Sequence, residues 1–315
     1  MRIYRYVPLN EYVIQFLEGK GLYFSSPLGF NDPYDFDLDA ITTRERLTPY
    51  ATTRYGRTLR REALRVARML RAINARFVDS DVVDRRATMR LTDDTYDLFA
   101  RKLAVLQRAV GAFDASAGEE PEHRIAASWA SLKRQLAIMY GVVCFSSQAD
   151  QILMWSHYAD RHRGIALEFE TEERPIRGWK NFAYLPVSYV TERHIDVIEK
   201  GFHGAFLATL TTKGVTWAYE KEHRLITLRG AGVQPARLAA FTGVVLGSRF
   251  NENGHEQRVA FFNALAANQR RRAGVPKMHF KLCTRVPARF EVGFRAVPRV
   301  VDLQAAVSSA IGSGA

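Results

Sequence analysis

Three short stretches of this chain carry polar groups where packing would favour apolar ones. The first is Arg2-Ile3-Tyr4-Arg5-Tyr6-Val7. Its β-branched and aromatic content predicts a strand, and alternation then sets Arg5 on the same face as Ile3 and Val7. A guanidinium between two aliphatic neighbours is costly unless an anion meets it, so Arg5 is a candidate anion-binding residue. The second stretch, Trp217 to Leu228, also reads as a strand, with Ala218, Glu220, Glu222, Arg224, Ile226 and Leu228 on one side. Two carboxylates beside an apolar region repel and resist desolvation, which raises at least one pKa, as functional acids often require. The alternative is an exposed strand end in which Arg224 neutralises Glu222. The third stretch is Val142-Val143-Cys144-Phe145-Ser146-Ser147, an apolar strand that ends in two hydroxyls.

Two further segments hold chemistry-bearing side chains. Gln151 to Asp160 is an aromatic helix with Trp155, His157 and Tyr158, and Ser147 with Asp150 predicts a capping box before it. No Gly-x-Ser-x-Gly turn surrounds either serine, and His157 has no metal partner at a recognised spacing. Asn31-Asp32-Pro33, with Asp35, Asp37 and Asp39 behind it, is an acidic cluster whose turn formers predict a rigid loop. Its oxygens would suit a divalent cation, but the spacing does not match a calcium loop. Cys144 and Cys283 lie in apolar runs without metal or disulfide spacing, which predicts buried, inert thiols.

These groups need a scaffold, and 315 residues with 47% hydrophobic content supply a sizeable core. No apolar run approaches the roughly 20 residues that cross a bilayer, and Arg2 to Leu17 is too polar for a secretory leader, so a cytoplasmic protein without membrane contact is expected. The pattern predicts strands at Arg2–Val7, Leu22–Ser25, Gly141–Ser146, Ile165–Glu170, Leu185–Val190, Trp217–Leu228, Val244–Leu246, Met278–Cys283 and Ala288–Val292. Helices are predicted at Glu11–Glu18, through most of 44–140, at Ile195–Leu210 and in a basic segment ending at Arg272. The strand-rich ends must pair to bury their apolar faces, which predicts a single α+β domain over 1–315 with a helical insertion at about 44–140.

The formal charge is +12, and it is concentrated. From Arg44 to Arg76 there are ten arginines and two acids, Glu45 and Glu62, on a pattern with apolar Leu59, Ala63, Val66, Leu70, Ile73 and Phe77. This is an amphipathic helix with a basic outer face: a solvated surface, or a platform for nucleic acid through Arg57, Arg60, Arg61, Arg65 and Arg68.

Ile3-Tyr4-Arg5-Tyr6, Leu22 to Pro27, Phe30 to Asp35, Val143 to Ser147, Met154 to Asp160, Gly164 to Phe169 and Trp217 to Leu225 resemble, in this order, a bacterial family known as domain of unknown function 2971. More distantly, Tyr4-Arg5-Tyr6, Phe145-Ser146-Ser147 and Glu220-Lys221-Glu222 resemble the ordered motifs of ADP-ribosylating toxins of the Arg-Ser-Glu type. The middle motif lacks that group's threonine, and the helical block lengthens the usual spacing.

The resemblance implies an α+β fold with mixed, largely antiparallel sheets in an ADP-ribosyltransferase-like core. It implies a mono-ADP-ribosyltransferase or NAD glycohydrolase, with a toxin or phage-defence role. Arg5 would hold NAD, Ser146 or Ser147 would bond the nicotinamide ribose or orient the acid, and Tyr6, Tyr158 and Asn31 would line the cofactor. Glu222 would stabilise the oxocarbenium ion, and Glu220 would serve the acceptor as base. Two alternatives stand beside this reading. One is a metal-dependent nuclease with Asp32, Asp35, Glu220 and Glu222 around magnesium; the other is a non-enzymatic nucleic-acid-binding protein.

Overall fold

The computed structural model describes residues 1–36, 49–78, 85–171, 182–193, 195, 204–235, 240–272 and 278–312. Asp37, Asp39, the start of the predicted basic helix near 44 and residues 196–203, half of the helix predicted at Ile195–Leu210, lie outside the described residues; 204–209 is helical.

The fold is α+β, built on an eight-stranded, mostly antiparallel sheet. Its order is β12 (Val292–Val297), β11 (His279–Arg285), β10 (Ala240–Leu246), β4 (Ile165–Glu170), β1 (Arg2–Val7), β3 (Gly141–Ser146), β8 (Glu222–Thr227) and β5 (Phe182–Pro186). Only β10 and β11 run parallel within it, joined through helix α6 (His255–Arg271), as a parallel pair requires a crossover. The pairs β2 (Leu22–Phe24) with β9 (Gly232–Gln234), and β6 (Ser188–Val190) with β7 (Thr212–Gly214), stand apart.

Alternation along the strands sends side chains to two differently covered faces. One face sets Ile3, Val143, Phe145, Leu167, Leu225 and Val244 against α1 (Glu11–Leu17), α6 and α7 (Val300–Gly312). Helix α1 starts where Asn10 accepts hydrogen bonds from the Tyr12 and Val13 amides (3.1 and 3.2 Å), which fixes the turn out of β1. The opposite face is divided. Over β1, β4 and β10, Tyr4, Tyr6, Ala166 and Val245 pack on α5 (Ile152–Tyr158), whose Trp155 is fully buried. Over β3 and β8, Val142 and Ile226 pack on the helical block of α2 (Pro49–Val78), α3 (Arg85–Ala115) and α4 (Pro121–Met139). This block is inserted between β2 and β3, whose neighbouring ends meet in a Ser25–Val142 bridge.

Between these two coverings the sheet parts. Strand β1 pairs with β4 along six residues but with β3 at Tyr4–Ser146 alone.

Several expectations need correction. Trp217–Leu228 is not one strand: Val215–Glu220 forms a 3₁₀ turn, Lys221 adopts a left-handed conformation (φ 45°), and the strand begins at Glu222. Strong β-propensity in Trp217 and Tyr219 is overridden by Lys221, which breaks the extended run. Leu185–Val190 is divided between β5 and β6. The last strand is Val292–Val297, because 286–291 is the turn of the hairpin. The Ser147–Asp150 capping box does not form; α5 starts at Ile152, with Gln151 at its N-cap and no side-chain cap.

Candidate functional site

Where β1 and β3 part, a cavity of about 370 Å³ opens, a size typical of small-molecule sites. Because it enters the gap between strands, it is lined from both faces of the sheet: Arg5 and Val143 from one, Tyr4, Tyr6, Cys144, Ser146, Glu222 and Arg224 from the other. Phe30, Asn31 and Asp35 come from the loop after β2, Tyr158 and His157 from α5, and Lys213 and Glu220 from the β7 segment and its 3₁₀ turn.

One wall is a buried ionic cluster. Arg224 forks onto Asp35 (Nη1–Oδ1 2.8 Å, Nη2–Oδ2 2.5 Å) and onto Glu222 (Nε–Oε1 2.8 Å, Nη2–Oε2 3.0 Å). It also donates to the Leu210 carbonyl (3.1 Å) and lies over the Phe30 ring. Lys213 Nζ lies 2.7 Å from Glu220, 3.6 Å from Glu222 and 3.9 Å from Asp35, and covers the Trp217 ring. All five side chains are at most 5% exposed, so three carboxylates face two cations in a medium that penalises charge.

The two glutamates are driven apart. Burial raises the Glu220 pKa, and the Lys213 and Tyr158 hydrogen bonds only partly oppose it. Burial acts the same way on Glu222, but the Arg224 guanidinium and Lys213 outweigh it and hold the pKa down to about 2. Two adjacent carboxylates whose pKa values are driven in opposite directions are the usual basis for separate acid–base and electrostatic roles. Tyr158 donates to Glu220 Oε1 at 2.6 Å and accepts from Asn31 Nδ2 at 3.1 Å; burial, followed by the Glu220 charge, keeps its hydroxyl protonated.

The opposite side of the cavity is cationic. Arg5 donates through Nη2 to the Tyr23 carbonyl at 2.7 Å and has no acidic partner among the described residues. Burial pulls its pKa down to about 10, so it stays charged at neutral pH while its charge is unmatched.

Ser146 is buried, lies directly across from Glu222 in the sheet register and also faces Tyr4. Its Oγ accepts from the Gln148 amide at 3.1 Å. Ser147 does not line the cavity, and its amide donates to the Lys221 carbonyl. Tyr6 lines the cavity, bonds the Gln148 carbonyl at 2.8 Å and meets Trp155 edge to face. Cys144 corrects the expectation of a buried thiol. Its surface is open to the cavity, yet protein surrounds it deeply enough, with Glu222 beside it, to push its pKa well above that of a free thiol. Cys283 is buried as expected, its pKa pushed up to about 12.

Sequence reasoning missed Lys213 and the anchoring of Arg224 by Asp35. Lys213 sits in a three-residue strand with no periodic signal, and Asp35 looked like one more acid in an acidic loop. Asp32 instead accepts from the Tyr34 amide in a local turn and does not line the cavity. Asp35, Glu220 and Glu222 do converge, but Arg224 or Lys213 holds each of them. Among the described residues no group of three His, Cys, Asp or Glu is disposed to hold a metal ion. No helix among them is long and apolar enough to cross a membrane.

A family model described as a protein of unknown function, DUF2971, matches residues 154–225. The match supports that family for this chain. The matched segment contains His157, Tyr158, Lys213, Glu220, Glu222 and Arg224, and so supplies all of the ionic wall except Asp35. Arg5, Asn31, Asp35 and Ser146 reach the same cavity from outside it. No curated protein and no solved structure matches the chain.

The Glu222 environment has a pH consequence. A carboxyl whose pKa is lower folded than unfolded stabilises the fold above its unfolded pKa, near 4.5, and that stability is lost as pH falls toward about 2. Glu220, shifted upward, contributes in the opposite sense and offsets part of the loss. Melting curves between pH 5 and pH 2.5 should show a falling midpoint, with a shallower fall in Glu222→Gln; equal slopes would assign acid lability elsewhere.

Proposed function

We propose that the cavity binds NAD and that the protein cleaves its nicotinamide–ribose bond, as a mono-ADP-ribosyltransferase or NAD glycohydrolase on an ADP-ribosyltransferase-like core. The observation that carries this reading is Arg5, a half-buried guanidinium without an acidic partner among the described residues, lining the same cavity as a carboxylate cluster of net charge −1. A cavity with one cationic and one anionic side suits a ligand that carries both signs. NAD has a pyrophosphate for Arg5 and a positively charged nicotinamide ring for the carboxylates. Tyr4, Tyr6, Phe30 and Tyr158 supply aromatic walls for a planar cation. The volume suits the nicotinamide riboside end with its phosphates, leaving the adenosine at the mouth.

In this reading Glu222, ionised at neutral pH, faces the ribose. Arg224 uses two of its roughly four lone-pair sites, so a ribose hydroxyl can occupy another. As the C–N bond breaks, its electron pair leaves with nicotinamide, and the Glu222 charge stabilises the ribosyl cation. Ser146, across the ladder from Glu222, is the hydroxyl available to bond the ribose. The acceptor, or water, then attacks the ribosyl carbon, and Glu220, with its raised pKa, takes the proton released.

The test is release of nicotinamide from NAD, followed by chromatography with and without candidate acceptors. Glu222→Gln is nearly isosteric and should lower the rate by about 10²–10³, the usual cost of losing one electrostatic stabiliser. Absence of both NAD binding and nicotinamide release in the wild-type protein would sink the reading.

A further inference from the structure

The charge excess of the chain has a location separate from the cavity. Helix α2 contains eight arginines and one acid, Glu62. At 100° per residue, Arg54, Arg57, Arg61, Arg65 and Arg68 fall within an arc of about 80° and span about 21 Å of helix axis. All five are exposed, and the arc is opposite the face that buries Thr52, Tyr55, Leu59 and Val66. Arg65 approaches Glu62 at 3.8 Å, and Arg60, beside the arc, pairs with Asp114 of α3. Arg54, Arg57, Arg61 and Arg68 have no acidic partner among the described residues. Arg65 also lines a cleft with Lys102 of α3, so positive charge continues onto the next helix.

A solvated helix face normally mixes charge signs, since like charges one turn apart repel. Here a straight row of one sign is held on a helix fixed by its buried face. Among the described side chains of α2 the exposed ones include Leu64 and Met69 but no aromatic ring on which an unpaired base could stack. Arginine forks without stacking partners match phosphates, and about 21 Å covers roughly six base pairs of a duplex. We propose that this face of α2 binds the phosphate backbone of double-stranded nucleic acid without reading its sequence. The inference does not depend on NAD chemistry in the cavity.

The experiment measures binding of the full chain to labelled 20-base-pair duplexes by fluorescence anisotropy over a salt series, with single strands and anionic lipid vesicles as competitors. The wild-type protein should bind duplexes of unrelated sequence with similar affinity, and log K should fall steeply with log salt. The triple variant Arg57→Gln, Arg61→Gln, Arg68→Gln should lose about three units of salt slope and at least tenfold in affinity at low salt. Its melting temperature and its NAD binding should match the wild type, because none of the three touches the core or the cavity. The single variant Arg61→Gln should lose about one unit of slope, which keeps the test valid if the triple variant folds poorly. Absence of duplex binding, an unchanged slope in both variants, or displacement by vesicles or single strands more effectively than by duplex would overturn the proposal.

Discussion

Replacing Arg5 with methionine is expected to raise the melting temperature of the ligand-free protein and, in the same variant, to abolish binding of NAD. The two effects share one cause. Arg5 is half-buried beside Tyr23 and the cavity without a neutralising acid among the described residues, so the folded protein bears part of a desolvation cost that no counter-charge offsets. Methionine follows the path of the side chain without the charge. Replacing fully buried ionic groups with apolar ones of similar volume is often stabilising by about 1–4 kcal/mol, and half-buried Arg5 takes only part of that. Loss of the Tyr23 hydrogen bond returns about 1 kcal/mol of this. The midpoint should rise by a few degrees in a thermal scan, while calorimetric titration with NAD shows no heat of binding. A variant that melts lower and still binds NAD would make Arg5 a structural residue and remove the main support for the cavity's function.

The second large effect has the opposite sign. Arg224→Met should destabilise the protein by about 3–5 kcal/mol, because it leaves Asp35 and Glu222 buried with Lys213 as their remaining cation. Urea unfolding should show a much lower midpoint with an unchanged slope. Arg224→Lys should recover only a fraction, since an ammonium cannot fork onto two carboxylates at once. A midpoint within about 1 kcal/mol of the wild type would mean that the cluster sheds its charge by protonation instead.

The contrast between these two arginines shows what the sequence could and could not disclose. Both stand on strands beside aliphatic residues, and alternation alone gives them the same description. One is gripped by two acids and the other by none among the described residues, a difference in which Asp35, 189 positions from Arg224, has a large part. Strands β1 and β3 were legible as short runs rich in β-branched and aromatic residues, and helix α1 and the helical insertion through their apolar spacing at helical period. The approach of Glu220 to Glu222 was legible for a reason that does not hold: the two share a cavity, but through a 3₁₀ turn and a left-handed lysine, not through strand alternation. Lys213 and the opening of Cys144 to the cavity depend on which strands part, and nothing local in a sequence encodes that.

The single Tyr4–Ser146 pairing between β1 and β3 divides the sheet mechanically. On one side lies a plate of five strands, β12-β11-β10-β4-β1, and on the other a plate of three, β3-β8-β5. Each plate is stitched by ladders of four or more residue pairs, with one register shift between β10 and β4, while the stitch between them is one residue pair long, so a relative twist of the plates strains little backbone hydrogen bonding across that line. Arg5 rides on the larger plate, and Ser146, Glu222 and Arg224 ride on the smaller. A molecule gripped by both acts as a second stitch, and part of its binding free energy goes into stiffening the sheet rather than into its own contacts.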